Sequence, residues 1–217
     1  VGPIYANIVL ADEINRAMPR TQSSLLEAME ERQVTIEKQT DQLPKPFLVI
    51  ATQNPIESHG TFPLPDAQLD RFLVKINLGY PTRQDERTIM KRFRTEDPLN
   101  GLNPVISIDE VRKLQEETKQ IHISRCIEDY VLDLVESTRN HKWIEVGLSP
   151  RATLAMLRAA QAKAKIESRS YCKPEDIQFV FPHISSHRIM LSMEGTLHIT
   201  KSQVIHSILS DIDVPVE

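Results

Sequence analysis

Two carboxylates, Asp12 and Glu13, stand side by side where the apolar run NIVLA (residues 7–11) ends. Adjacent acids at the end of a strand suit phosphate chemistry. One can help hold Mg²⁺, usually through its water shell, because that ion dehydrates reluctantly. The other can polarise an attacking water as general base. A second apolar run, FLVIAT (residues 47–52), also stops at polar residues, Gln53 and Asn54. Ligand sites of open α/β sheets lie outside the carboxyl ends of the strands. If the two runs are neighbouring strands, Asp12, Glu13 and Asn54 share one rim, and Asn54 can orient the same water and feel a terminal phosphate. The plain alternative is that both strands simply turn into solvent; a second polar strand end weighs against it.

The elements that must hold these groups follow from pattern. NIVLA and FLVIAT are short and, apart from Asn7 and Thr52 at their ends, apolar, as expected of strands buried on both faces of a parallel sheet. PRTQSSLLEAMEERQ predicts a helix whose stripe of Leu25, Leu26 and Met29 packs a core, with Glu27, Glu30, Glu31 and Arg32 on its wet face. Val34 to Ile36 alternates weakly, like one arm of a small hairpin. The Pro- and Gly-rich stretch PIESHGTFPLPD (residues 55–66) reads as loop. After it we expect a short helix over residues 66–70 and a strand over residues 72–78, then a helix capped by Thr82. Composition shifts at TEDPLNGLNPV (residues 95–105), a linker. Beyond it the pattern is almost all helical, with Ser107 and Ser149 as caps, Pro150 in a first turn, and Ile127, Val131, Leu134 and Val135 at helical spacing. The expected organisation is an α/β unit over 1–95, a linker over 96–106 and a helical unit over 107–217.

Bulk properties narrow the classes. The 217 residues carry a net charge of -4, so no basic excess supplies a footprint for nucleic acid. No apolar run approaches the ~18 residues of a membrane span. The two cysteines, Cys126 and Cys172, match no metal spacing and read as reduced thiols of a cytoplasmic protein. The seven histidines show no ligand spacing. The chain begins without Met and enters an apolar run almost at once, like one cut at its start.

An apolar strand followed by Asp-Glu is the Walker B pattern. Three stretches extend the likeness: GPIYANIVLADEINRAMPRTQSSLLEAMEERQVTI, PFLVIATQNPIESHGTFPLPDAQLDRFLVKI and GLSPRATLAMLRAAQAKAKIESRSYCKPEDI. In order and spacing they resemble the MoxR family of AAA+ ATPases over nearly the whole chain. The resemblance implies an AAA+ parallel-sheet core followed by a helical lid, using ATP and Mg²⁺ in a homo-oligomeric, hexameric ring. It further implies chaperone-like remodelling or maturation of protein complexes, often with a von Willebrand factor A-domain partner. Residue by residue, it makes Asp12 and Glu13 the Walker B pair and Asn54 the sensor of γ-phosphate and water. It makes Arg71, in LDRF, the arginine that reaches a neighbouring subunit's nucleotide, and Arg151, in LSPRA, the sensor arginine of the lid. An arginine delivered in trans is worth ~10³-fold or more in related systems. Arg151 also falls in a helix's first turn, where the dipole favours an anion.

Simpler roles compete. Arg71 could pair with Asp70 or Asp66 on the surface, and Arg151 could be a solvated helix-start residue. Arg16, beside the Walker B acids, could line a pore or an intersubunit seam. His187 and Arg188 are explained by a favourable helix C-terminus.

One part of the expected machinery is missing from these residues. A phosphate cradle of the form G-x-x-x-x-G-K-[ST] needs a Gly-Lys pair, and the chain contains none. By the resemblance the cradle lies upstream, with the central strand and one outer strand of the sheet. These residues alone are therefore expected to bind ATP poorly, and the sheet to expose unpaired edges prone to association. The chief alternative to a ring ATPase is a non-catalytic regulatory or binding fragment of such a protein. A DNA-associated motor is weaker, for want of any basic stripe.

Overall fold

The computed structural model describes residues 2–54, 60–94 and 98–215. Strand β1 (Ile8–Ala11) pairs in parallel with a strand far along the chain, so everything between them is crossover. That crossover holds helix α1 (Pro19–Glu31) and a hairpin of β2 (Gln33–Ile36) and β3 (Gln39–Gln42). It returns as β4 (Leu48–Ala51), in register Ile8↔Leu48 to Ala11↔Ala51. The hairpin turn is made by Glu37 and Lys38, both at positive φ, the backbone that two-residue hairpin loops favour.

One face of the β1–β4 pair is packed. Val9 and Val49 lie against a cluster of Ala28 on α1 and Leu43 and Phe47 from the segment between β3 and β4. On α1, Leu26 is fully buried, and Leu25 and Met29 pack against the same small cores. The opposite face corrects the expectation of strands covered on both sides: Ile8 and Leu10 are 62% and 65% exposed, and Leu48 and Ile50 are 51% and 48% exposed. The crossover covers one side only, and among the described residues no layer lies on the other.

After a short helix α2 (Asp66–Leu69) the expected strand over residues 72–78 does not form. The segment finds no sheet edge, and its backbone bonds elsewhere. Lys75 N–H donates to the His183 carbonyl at 3.2 Å, and the Phe72 and Leu73 carbonyls accept from Arg188. Helix α3 (Arg83–Phe93) opens on a reciprocal capping box between Thr82 and Asp85. Residues 95–97 of the expected linker, and residues 55–59 of the expected loop, lie outside the described residues.

The helical unit contains α4 (Ile108–Lys119), α5 (Arg125–Asn140), α6 (Pro150–Ile166), α7 (Pro174–Ser185), α8 (Met193–His198) and α9 (Lys201–Asp211). Ser107 and Ser149 cap α4 and α6 as expected. Ile127, Val131, Leu134 and Val135 are all buried in one continuous core with Met156, Phe181 and Ile205. The all-helical expectation misses a small antiparallel pair, β5 (Ile144–Val146) with β6 (Met190–Leu191). These strands are three and two residues long, too short to carry a periodic signal.

Candidate nucleotide-handling site

The turn after β1 builds the acidic group. Ala11 and Ala51 are directly paired, so the two strands end level and their next residues share a rim. Thr52 N–H donates to the Ala11 carbonyl at 3.0 Å, and Ile14 N–H donates to the Thr52 carbonyl at 3.0 Å. The Thr52 hydroxyl ties both acids together: it donates to Asp12 Oδ1 at 2.5 Å and accepts from Glu13 N–H at 2.9 Å. Sequence pattern did not single out Thr52; the one available signal was its place level with the acids at a second strand end. Glu13 adopts a left-handed backbone, φ 48° and ψ 50°, unusual for a residue with a side chain. The bend redirects the chain out of the strand, and Arg16 Nε pairs with Glu13 Oε2 at 2.9 Å. Arg16 thus sits on the predicted base. Asn54 comes three residues after Ala51, the last residue of β4.

The turn rests on a rigid base. Ile14, Leu26 and Leu64 form a buried cluster beneath it. Gln22, buried on α1, donates to the Ile14 carbonyl at 3.1 Å and the Phe62 carbonyl at 2.8 Å, while Phe62 N–H donates to the Asn15 carbonyl. A polar residue on the apolar stripe of α1 therefore knits the acid turn to the loop before α2.

The two predicted arginines come together elsewhere. Arg71 Nε lies 3.1 Å from Glu30 Oε2, and Arg151 bonds Glu30 Oε1. Glu30 is on α1, Arg71 follows α2, and Arg151 is in the first turn of α6. One carboxylate thus gathers two guanidiniums from distant parts of the chain. The surface pairing considered for Arg71, with Asp70 or Asp66, is not the one seen.

Asp70 pairs instead with Arg188, beyond the end of α7, and this joint was not anticipated. Arg188 Nε donates to Asp70 Oδ1 at 2.7 Å. Its two Nη atoms reach the carbonyls of Asp70, Phe72, Leu73 and Ile184 at 2.5 to 3.1 Å. These five bonds match the five donors of a guanidinium. Burial pulls the Arg188 pKa down, opposed by the Asp70 carboxylate. Ser149, the cap two residues before Arg151, donates to Asp70 Oδ2 at 3.4 Å. His187 Nε2 bonds the Phe72 carbonyl at 3.0 Å, and burial beside Arg188 pushes its pKa down to about 4. The explanation of His187 and Arg188 by a helix dipole is therefore replaced: they lock the lid to the segment around Arg71.

Comparison with known proteins decides the family. Residues 1–74 match the ATPase family associated with various cellular activities (AAA), and residues 136–208 match the AAA lid domain. The chain is 45% identical to the uncharacterised protein YeaC of Bacillus subtilis, over all of this chain and 68% of that protein. It is 40% identical to the chaperone MoxR1 of Mycobacterium tuberculosis, over 99% of this chain and 59% of that protein. The chain belongs to the MoxR family of AAA+ ATPases. A crystal structure of a protein from Cytophaga hutchinsonii superposes with a TM-score of 0.93 at 38% identity, covering 99% of this chain and 68% of that one. The fold of this MoxR-family chain is accordingly a parallel-sheet AAA+ core followed by a helical lid.

The family uses nucleotide and Mg²⁺ in general. The residues fit such an ion in a particular way. Asp12 is exposed, with Oδ1 engaged by Thr52, and its donors are hard oxygens. Among the described residues no three His, Cys, Asp or Glu converge to cage a metal. A single carboxylate meeting a hydrated ion matches Mg²⁺, which commonly keeps several waters. Among the described residues no helix is long and apolar enough to cross a membrane.

Proposed function

We propose that this chain supplies the Walker B, sensor and lid parts of a ring-forming ATPase that remodels protein complexes. The observation that carries the reading is the level parallel pairing of β1 and β4, after which Thr52 bonds both Asp12 and Glu13; Asn54 follows two residues beyond Thr52. Asp12 would hold hydrated Mg²⁺, which when bound neutralises charge on the phosphates. Glu13 accepts a proton from the attacking water, and Asn54 orients that water. Arg16 must release Glu13, or turn aside, for the carboxylate to act as a base.

The arginines serve a second nucleotide. Arg71 and Arg151 share Glu30, so both present at one surface. If Arg71 reaches across a subunit seam, Arg151 reaches with it. Two guanidiniums there stabilise charge developing on the neighbour's transferred phosphoryl group. ATP, a homo-oligomeric and hexameric ring, a cytoplasmic setting and a client such as a von Willebrand factor A-domain protein complete the proposal. They are supported by family membership.

The test is hydrolysis by the protein as encoded. Glu13→Gln is expected to lower turnover about a hundredfold or more while nucleotide still binds; unchanged turnover refutes the role. With no Gly-Lys pair in its sequence, the 217-residue chain alone is expected to bind Mg-ATP poorly. Tight binding by calorimetry would overturn that.

A further inference from the structure

We propose that Glu30 is the resting counter-ion of the arginine pair, holding Arg71 and Arg151 together and off phosphate until a polyphosphate displaces it. The inference rests on the reading of these arginines as phosphate-seeking groups.

Three facts carry it. Each oxygen of one carboxylate is taken by a different arginine, Oε2 by Arg71 and Oε1 by Arg151. The three side chains are only partly exposed, at 35% for Glu30, 33% for Arg71 and 45% for Arg151, so water screens them less than a fully exposed pair. Finally, Glu30 and Arg71 line a cavity of about 490 Å³ together with Glu27, Glu31 and Gln68. A ligand can reach Arg71 and its carboxylate partner there, but the walls are acidic.

A guanidinium engaged bidentately or end-on by a carboxylate has fewer donors left for phosphate. Two arginines bound to one acid keep a net positive charge, so they still attract an anion. A polyphosphate carries several charges and can satisfy both forks at once, whereas Glu30 gives each arginine one oxygen. Exchange is therefore favourable only for a ligand with multiple phosphate oxygens. Without Glu30, two like charges from α6 and the segment after α2 would face each other uncompensated. The acid thus both preassembles the pair and sets the threshold for its use.

The test is calorimetric titration of the 217-residue chain with inorganic tripolyphosphate, a probe that needs no hydrolysis. Glu30→Gln is expected to tighten binding about fivefold or more at low salt, with the gain shrinking as salt is raised. Glu30→Asp, too short to span both arginines, is expected to show part of the gain and guards against misfolding of the first variant. Arg71→Gln combined with Glu30→Gln is expected to abolish it. Glu27→Gln removes one charge from the same cavity and is expected to leave affinity within about twofold. No gain in Glu30→Gln, or an equal gain in Glu27→Gln, overturns the proposal. The underlying reading of the arginines fails separately, if Arg71→Gln and Arg151→Gln leave hydrolysis by the encoded protein unchanged.

Discussion

Replacing Arg188 by Met should loosen the junction between lid and core without unfolding the lid. Met keeps the length and apolar volume of the side chain but removes five donors. The Arg188 side chain is 3% exposed and that of Asp70 is 25% exposed. Breaking one side of a buried ion pair costs about 3–5 kcal/mol, because the remaining charge is left uncompensated. Partial access of water to Asp70 argues for the lower end, about 3 kcal/mol. The lid has its own continuous apolar core, so the loss should appear first at the joint. The sharpest reporter is the Lys75 amide, which donates to the His183 carbonyl across it. Its hydrogen exchange should accelerate about a hundredfold, the factor that 3 kcal/mol implies. Emission from the lone tryptophan, Trp143 in the lid, should stay native in the absence of denaturant. A double-mutant cycle with Asp70→Asn then isolates the pair. Unchanged Lys75 protection, or a coupling below about 0.5 kcal/mol, would refute the assignment of this joint to Arg188.

The same junction should be acid-sensitive. The His187 pKa is about 4 in the folded chain against 6.5 ordinarily, so the unfolded chain binds the extra proton first. Stability is then full above about pH 6.5 and falls as pH drops toward 4, by up to about 3 kcal/mol. Urea midpoints at pH 7 and 4.5 should converge less in wild type than in His187→Gln, which lacks this slope; equal slopes count against it. Inside the lid, Asp176 is 2% exposed and accepts both Nη groups of Arg169 and the Lys173 N–H. Asp176→Ala should cost about 3 kcal/mol or more, read as a lower melting temperature by Trp143 emission; a shift within a degree or two would show the pair to be dispensable.

Much of the fold was legible because local chemistry and tertiary outcome agree. NIVLA and FLVIAT read as strands from their short, bounded apolar runs, and their polar ends told which rim to watch, though only one face of the pair is packed. Ser107, Thr82 and Ser149 marked helix starts because an orphan N–H needs an acceptor wherever the helix later packs. Other features carried no local signal. The segment after Asp70 is as apolar as a strand, yet strands exist only by pairing, and here its backbone finds the end of α7 instead. The burial of Gln22 and Arg188 had no local signal, because burial of a polar group is justified by partners far along the chain.

By itself, then, the sequence determined the family, the α/β-then-helical order, and the adjacency of Asp12 to Glu13, all properties of neighbours in the chain. Only the tertiary structure decided that Thr52 joins the two acids, that Arg71 and Arg151 share Glu30, and that Arg188 ties the lid to Asp70. Residues 30, 71 and 151 meet because the fold brings one end of α1, the segment after α2 and the first turn of α6 within ion-pair distance. The energy of a charge depends on what surrounds it, and for these groups the surroundings are assembled only when the chain folds.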